Sequence, residues 1–178
     1  MTKLGELIEL SNGRNSGRIK NDEGYAEYST FDFKNDINMA TEYIHKDDDS
    51  SFLTYTGQML FSVVKGDATI VSKDNTGKII KDFFIKVDVD TDKIYPWYLC
   101  YMINESEEVK REKYLNSKGA NILRFTSSFF KDLNLNIPDM KEQIKIGDLY
   151  KYSTANQYLE KKLADNKKEI VKNYLLGL

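Results

Sequence analysis

Asp88, Asp90 and Asp92 alternate along the chain, and in an extended segment that spacing sets three carboxylates on one face. Carboxylates grouped this way can hold the divalent metals that activate water in nucleases. The Glu-x-Lys pair that should follow on a neighbouring strand is missing, because Glu108-Val109-Lys110 falls in a predicted helix. Asp47-Asp48-Asp49 lacks the glycine and distal glutamate of a calcium loop and reads as a solvated turn. The one histidine, His45, cannot build a metal site alone and is expected on the solvated surface. Cys100 sits within Trp97-Tyr98-Leu99-Cys100-Tyr101 and reads as a small buried hydrophobe. A single cysteine forms no disulfide framework, which fits a reducing cytoplasm. The sequence holds no Gly-rich phosphate loop, no HExxH, no GxSxG and no zinc spacing. It also lacks the nucleotide loop and Asn-Pro-Pro motif of an adenine methyltransferase. We therefore expect no catalytic residue, no metal and no cofactor in this chain.

Donor-rich loops offer a different chemistry. Arg14, Asn15, Arg18 and Lys20 share a Gly/Ser-rich loop with no acid before Asp22, and Lys118, Asn121 and Arg124 flank Gly119. Arg, Lys and Asn donate bidentate bonds to purine edges and neutralise phosphates, so these seven are the expected DNA contacts. Lys110, Arg111 and Lys113 alternate with Glu108 and Glu112 and are expected to pair on their own helix surface. A net charge of -2 speaks mildly against nucleic acid. However, nine acids between residues 21 and 50 face only Lys34 and Lys46, which leaves the remainder of the chain net positive. A basic face on an acidic protein is physically ordinary.

The elements that must carry these loops read as an α+β fold. Met1 to Leu10 includes Lys3, Glu6 and Glu9, and no long apolar run occurs, so neither a secretory signal nor a membrane span is expected. Leu4 to Leu10 is a short helical or helix-to-strand pattern. Thr41–His45, Met59–Val64, Ala68–Val71, Ile79–Ile80 and Phe83–Val87 read as strands, with turns at Lys65-Gly66-Asp67 and Asp74–Gly77. Pro96 opens a helix at the position where its missing N–H costs nothing, with a polar continuation to Tyr114. Ile122–Phe125 is strand-like, Ser127 is placed to cap a short helix, and Leu133–Ile137 is extended up to Pro138.

The last region, 139–178, is predicted as one long helix. Asp139 and Glu142 have capping-box spacing, and Gly147 is the one weak point before Gly177. Leu149, Tyr152, Asn156, Leu159, Leu163, Asn166 and Ile170 form a seven-residue repeat, a narrow coiled-coil seam with polar register-setting positions. Such a helix is about 55 Å long, whereas residues 1–138 packed compactly span about 35–40 Å. The rod outreaches its own body, and a second copy of the chain is the simplest partner for its seam.

Several segments resemble the specificity (S) subunits of Type I restriction–modification systems. Leu4-Gly5-Glu6-Leu7-Ile8-Glu9-Leu10 followed by Asn12-Gly13 resembles that family's LGD-like opening, and Gly57-Gln58-Met59-Leu60-Phe61-Ser62 resembles its GDILFS strand. Tyr95-Pro96-Trp97-Tyr98-Leu99-Cys100-Tyr101-Met102 is similar to its Pro-x-Tyr-Leu helix start. Leu133-Asn134-Leu135-Asn136-Ile137-Pro138 through Glu142-Gln143-Ile144-Lys145-Ile146-Gly147 resembles the LxxLxIPxxxEQxxI junction between recognition domain and conserved helix. Family members carry two recognition domains and two such helices; this sequence has one of each, so it resembles a half-subunit. It also has Ile-Pro-Asp where the family often has a second proline. The resemblance implies a target-recognition domain over 1–138 that reads double-stranded DNA, and a spacer helix over 139–178. It further implies a two-fold homodimer on a bipartite inverted-repeat target, with modification (methyltransferase) and restriction subunits as partners. S-adenosylmethionine then belongs to the modification subunit. The competing reading is a non-enzymatic interaction module or decoy that works through the helix alone.

Overall fold

The computed structural model describes residues 1–15, 24–47, 51–118 and 124–177. A four-stranded antiparallel sheet forms its centre, built from Ile8–Asn12 (β2), Met59–Ser62 (β3), Ala68–Ile70 (β4) and Phe84–Val89 (β5) in the order β2-β5-β3-β4. Thr2–Lys3 (β1) pairs with Asn134–Leu135 (β6), so the start of the chain is tied to the approach to the last helix. Between β1 and β2 the chain makes a short 3-10 turn, Leu4–Glu6.

Strand periodicity divides the sheet residues between two apolar layers. Met59, Phe61, Ile85, Val87 and Val89 lie with Trp97, Leu99, Cys100 and Ile103 of helix Pro96–Glu105 (α2) in the larger core. Leu60 and Phe84 point the other way, against Tyr28 and against Phe33 of helix Thr30–Asp36 (α1). All four residues of β3 are consequently buried. Pro96 occupies the start of α2 as expected, and Cys100 is buried, its thiol pushed well above the ordinary range by loss of water.

Several expectations are corrected. Residues 41–45 form no strand: Ile44 N–H donates to Gly57, and the Thr41 carbonyl is taken by the Trp97 indole at 2.9 Å. Ile79 makes only isolated bridges to Glu27 and Leu53. The helix begun at Pro96 breaks at Ser106, whose extended backbone and hydroxyl cap a second helix, Glu107–Ser117 (α3), through Val109 N–H. Helix Ser127–Asp132 (α4) is capped by Thr126 rather than Ser127. The expected pairing within one helix surface holds only for Lys110, which meets Glu107 as well as Glu105 of α2, whereas Lys113 reaches off the helix to Asp67 in the turn after β3.

The long helix runs Met140–Leu176 (α5), with the Asp139 carboxylate accepting from Glu142 N–H at 3.0 Å. Glu142 pairs with Lys145. The start of α5 lies on α2. Gln143 accepts from Tyr95 N–H and donates to the carbonyls of Lys93 and Pro138. Tyr95 donates its hydroxyl to Asp148 at 2.8 Å, and Asn104 donates to the Tyr150 hydroxyl at 2.9 Å. Gly147 is the point of closest approach, since a Cβ there would come within 2.6 Å of the Tyr98 backbone nitrogen.

Candidate nucleic-acid interface and the outward helix seam

The antiparallel ladder brings the end of β2, the end of β3 and the start of β5 to one end of the sheet. Of the predicted donors, Asn15 and Arg124 line a mouth there. Beyond β2, Gly13 N–H donates to Phe84, Arg14 N–H donates to Ile80, and the Arg14 carbonyl accepts from Asp82. Gly13 lies so close to the 80–82 turn that a Cβ would meet the Lys81 carbonyl oxygen at 2.1 Å. That contact fixes the departure of Arg14 and Asn15. Arg14 is half-buried, with its guanidinium 5.8 Å from the Phe52 ring centroid, and Asn15 is exposed.

Arg124 arrives from the far side of the sequence. Phe125 N–H donates to Val63 at 2.7 Å, and the Phe125 ring covers Gly66 in the turn after β3. Gly66 has φ +72°, and a side chain there would strike the ring at 2.8 Å, so both conformation and space require glycine. Arg124 is thereby held exposed beside the β2 exit. Asn12, Asn15, Asp82, Arg124, Ser127 and Ser128 line one mouth together. Lys118 ends α3, is exposed, and lies 4.9 Å over its own helix's Tyr114 ring. Arg18, Lys20 and Asn121 lie outside the described residues.

A second mouth, on the outer face of β2 and β5, has a more acidic character, with Glu9, Asp47 and Asp88 beside Lys46 and Lys86. Here His45 is half exposed and lies between Asp88 at 2.8 Å and Asp47 at 3.1 Å. The bond to Asp88 raises the imidazole above its ordinary range, assisted by both negative charges. Among the described residues no cluster of three or more His, Cys, Asp or Glu is arranged to hold a metal. Asp90 pairs with Lys93, so the alternating carboxylates face different partners.

Along α5 the sequence seam is exposed from one end to the other: Leu149 73%, Tyr152 55%, Leu159 60%, Leu163 55% and Ile170 68%, with Asn156 and Asn166 also open. At 3.6 residues per turn, Leu149 lies on the opposite side of the helix from Gly147. The buried stripe Gln143, Gly147 and Lys151 therefore serves the body, and the apolar seam faces away. Sequence reasoning missed this inner stripe because it contains no apolar side chain. Lys151 is nearly sealed: its ammonium pairs with Glu42 and lies over the rings of Trp97 and Tyr152. Beyond Thr154, which reaches the Ile37 carbonyl at 3.4 Å, the helix leaves the body.

No known family model and no curated protein matches the sequence. Solved structures do. A chain of a type I R-M system studied for its complex assembly and conformational transition superposes with TM-score 0.61 at 15% identity, over 96% of this chain and 42% of that one. The HsdS subunit from Thermoanaerobacter tengcongensis gives 0.55 at 17%, over 92% and 39%. The S subunit of a Type-I restriction-modification system from M. genitalium gives 0.58 at 15%, over 97% and 43%. The fold is thus that of Type I S subunits, and this chain spans about two fifths of the length of those neighbours.

Proposed function

We propose that the chain recognises DNA as a specificity half-subunit of a Type I restriction–modification complex. Residues 1–138 read the duplex, and residues 139–178 pair with a second copy and set the distance between two readers. One observation carries the reading. Asn15 and Arg124, chosen from sequence for their donor chemistry, line one mouth at one end of a sheet that has the S-subunit fold, and Arg14 directly precedes Asn15.

The geometry suits recognition without turnover. Backbone bonds at Gly13, Arg14 and Phe125 hold the chain beside these arginine and asparagine side chains, so they lose less freedom on binding. Their donors match the acceptors of purine edges and phosphates. Two-fold pairing along the outward seam would present two such mouths to a split, inverted site, as dimeric DNA readers do. Methylation and cleavage then fall to modification and restriction subunits docked on the assembly. S-adenosylmethionine and the flipped adenine belong to the modification subunit.

The test is binding of the intact chain to a pool of duplexes at several salt concentrations. Log affinity should fall linearly with log salt as phosphate contacts release counterions. Arg14→Ala or Arg124→Ala should cost about 1–3 kcal/mol on the preferred duplex if the residue meets a guanine. Salt-independent or absent binding would leave the helix as the working part and favour the interaction-module reading.

A further inference from the structure

We propose that Asn12, a residue outside the set expected from sequence, reads a base edge in the DNA groove and that Ser127 is the positioning residue that aims it. This rests on the DNA-reading assignment above. Asn12 is the last residue of β2 and is registered against Ile85, so its backbone is set by the sheet while its side chain is exposed. The Ser127 hydroxyl, 115 residues away, donates to Asn12 Oδ1 at 3.0 Å. Ser127 is itself fixed. Thr126 caps α4 through Phe129 N–H, and Phe130 packs its ring 4.4 Å from that of Phe61 in the core. With its oxygen engaged, the Asn12 amide turns its NH2 outward, and among the described residues that nitrogen has no partner.

The composition of the mouth decides between phosphate and base. Phosphates present acceptors alone, and a carboxylate in the contact would repel them. Base edges present donors and acceptors together. The mouth contains Asp82 as well as Asn12, Asn15 and Arg124, a mixed set that fits a groove edge. An asparagine whose oxygen already accepts from Ser127 keeps one lone pair but is oriented by that bond, so its NH2 is the group presented to the duplex. It donates to a lone acceptor such as a purine N7, guanine O6 or thymine O4.

The experiment selects the preferred duplex of the full chain from a randomised pool, then repeats the selection with variants. Asn12→Ala should abolish preference at one base-pair position and lose about tenfold on the selected duplex, with much less lost on a scrambled one. Ser127→Ala should weaken preference at that same position, and Ser127→Thr, which keeps the hydroxyl, should restore it. An unchanged preference in Asn12→Ala overturns the assignment while leaving DNA reading intact. Equal weakening on both duplexes marks a phosphate contact and overturns it as well. A wild-type chain that selects no sequence removes the DNA reading itself, and this inference with it.

Discussion

The two parts of α5 share one uninterrupted helix and differ in almost everything that holds it. From Gln143 to Thr154 the inner face carries Gln, Gly, Lys and Thr beside Ile146 and Tyr150, and it is seated on the body through core packing, hydrogen bonds, a close backbone approach to α2 and a sealed ammonium. From Leu159 to Gly177 every residue is exposed, Leu163, Ile170, Val171, Tyr174 and Leu175 included. An isolated helix of this size is marginal in water, and an apolar stripe left wet adds nothing to it. The inner part is stabilised by its own body. The outer part carries apolar surface that none of the described residues covers, which is the physical basis of the pairing proposed above.

The largest expected effect separates the two parts. Leu163→Glu should raise the dimer dissociation constant at least about a hundredfold, roughly 3 kcal/mol, because a two-fold seam carries the charge twice. The melting of the body should stay in place, and sedimentation with calorimetry reads both. Should Leu163→Glu dimerise as tightly as the parent, the outward stripe is not the seam.

Gly147→Ala tests the seated part. Alanine favours helices over glycine by about 1 kcal/mol, so an isolated helix would gain. Here the new methyl meets the Tyr98 backbone nitrogen and the Tyr95 ring, and overpacking should destabilise the body by about 2 kcal/mol in denaturant titration. A stabilised variant would mean that α5 stands off from α2.

Lys151→Ala should cost less, about 1 kcal/mol. The lysine side chain is 3% exposed but its partner Glu42 is 69% exposed, so the carboxylate rehydrates readily when the cation is lost. What goes is mainly the contact of the buried side chain with the Trp97 and Tyr152 rings. Lys151→Met should therefore recover most of the loss, and failure to do so would make the ion pair dominant.

The smallest effect is a pH dependence. His45 is raised by Asp88 and Asp47, so its contribution is present in full below about pH 6.5, its ordinary value, and fades as pH rises through the raised value. It is exposed and screened, so the change is slight. Protection from amide exchange in 41–47, the segment that Trp97 and Lys151 grip, should fall at alkaline pH when taken relative to the intrinsic base-catalysed rate, while protection beyond residue 159 stays the same. His45→Gln should remove the difference.

Much of the fold was legible from local chemistry: Pro96, Asp139, the turn at Gly66 and the apolar runs at 59–62 and 84–87 all act through their own neighbours. The residues 41–45 misled because β-branched and aromatic content reports burial, whereas strand pairing needs a free edge, and here an indole and a glycine take those backbone groups. Ser106 interrupts a sequence that reads as continuous helix, because its hydroxyl caps the second segment. The site was half legible. Asn15 and Arg124, which line the candidate mouth, could be picked out by donor type. Asn12 could not, since what distinguishes it is a hydroxyl contributed from residue 127. The Gly147 seat was hidden for a related reason: glycine reads as a weak point until the surface that needs its bareness is known.

Gln143 bears on the order in which the molecule is made. Its amide takes the Tyr95 N–H and gives to the carbonyls of Lys93 and Pro138, joining partners 48, 50 and 5 residues earlier in the chain. All three belong to segments that leave the ribosome before it does. The first turn of the rod is thus bonded into a socket made by the body, and a chain whose body has misfolded has nowhere to plant it.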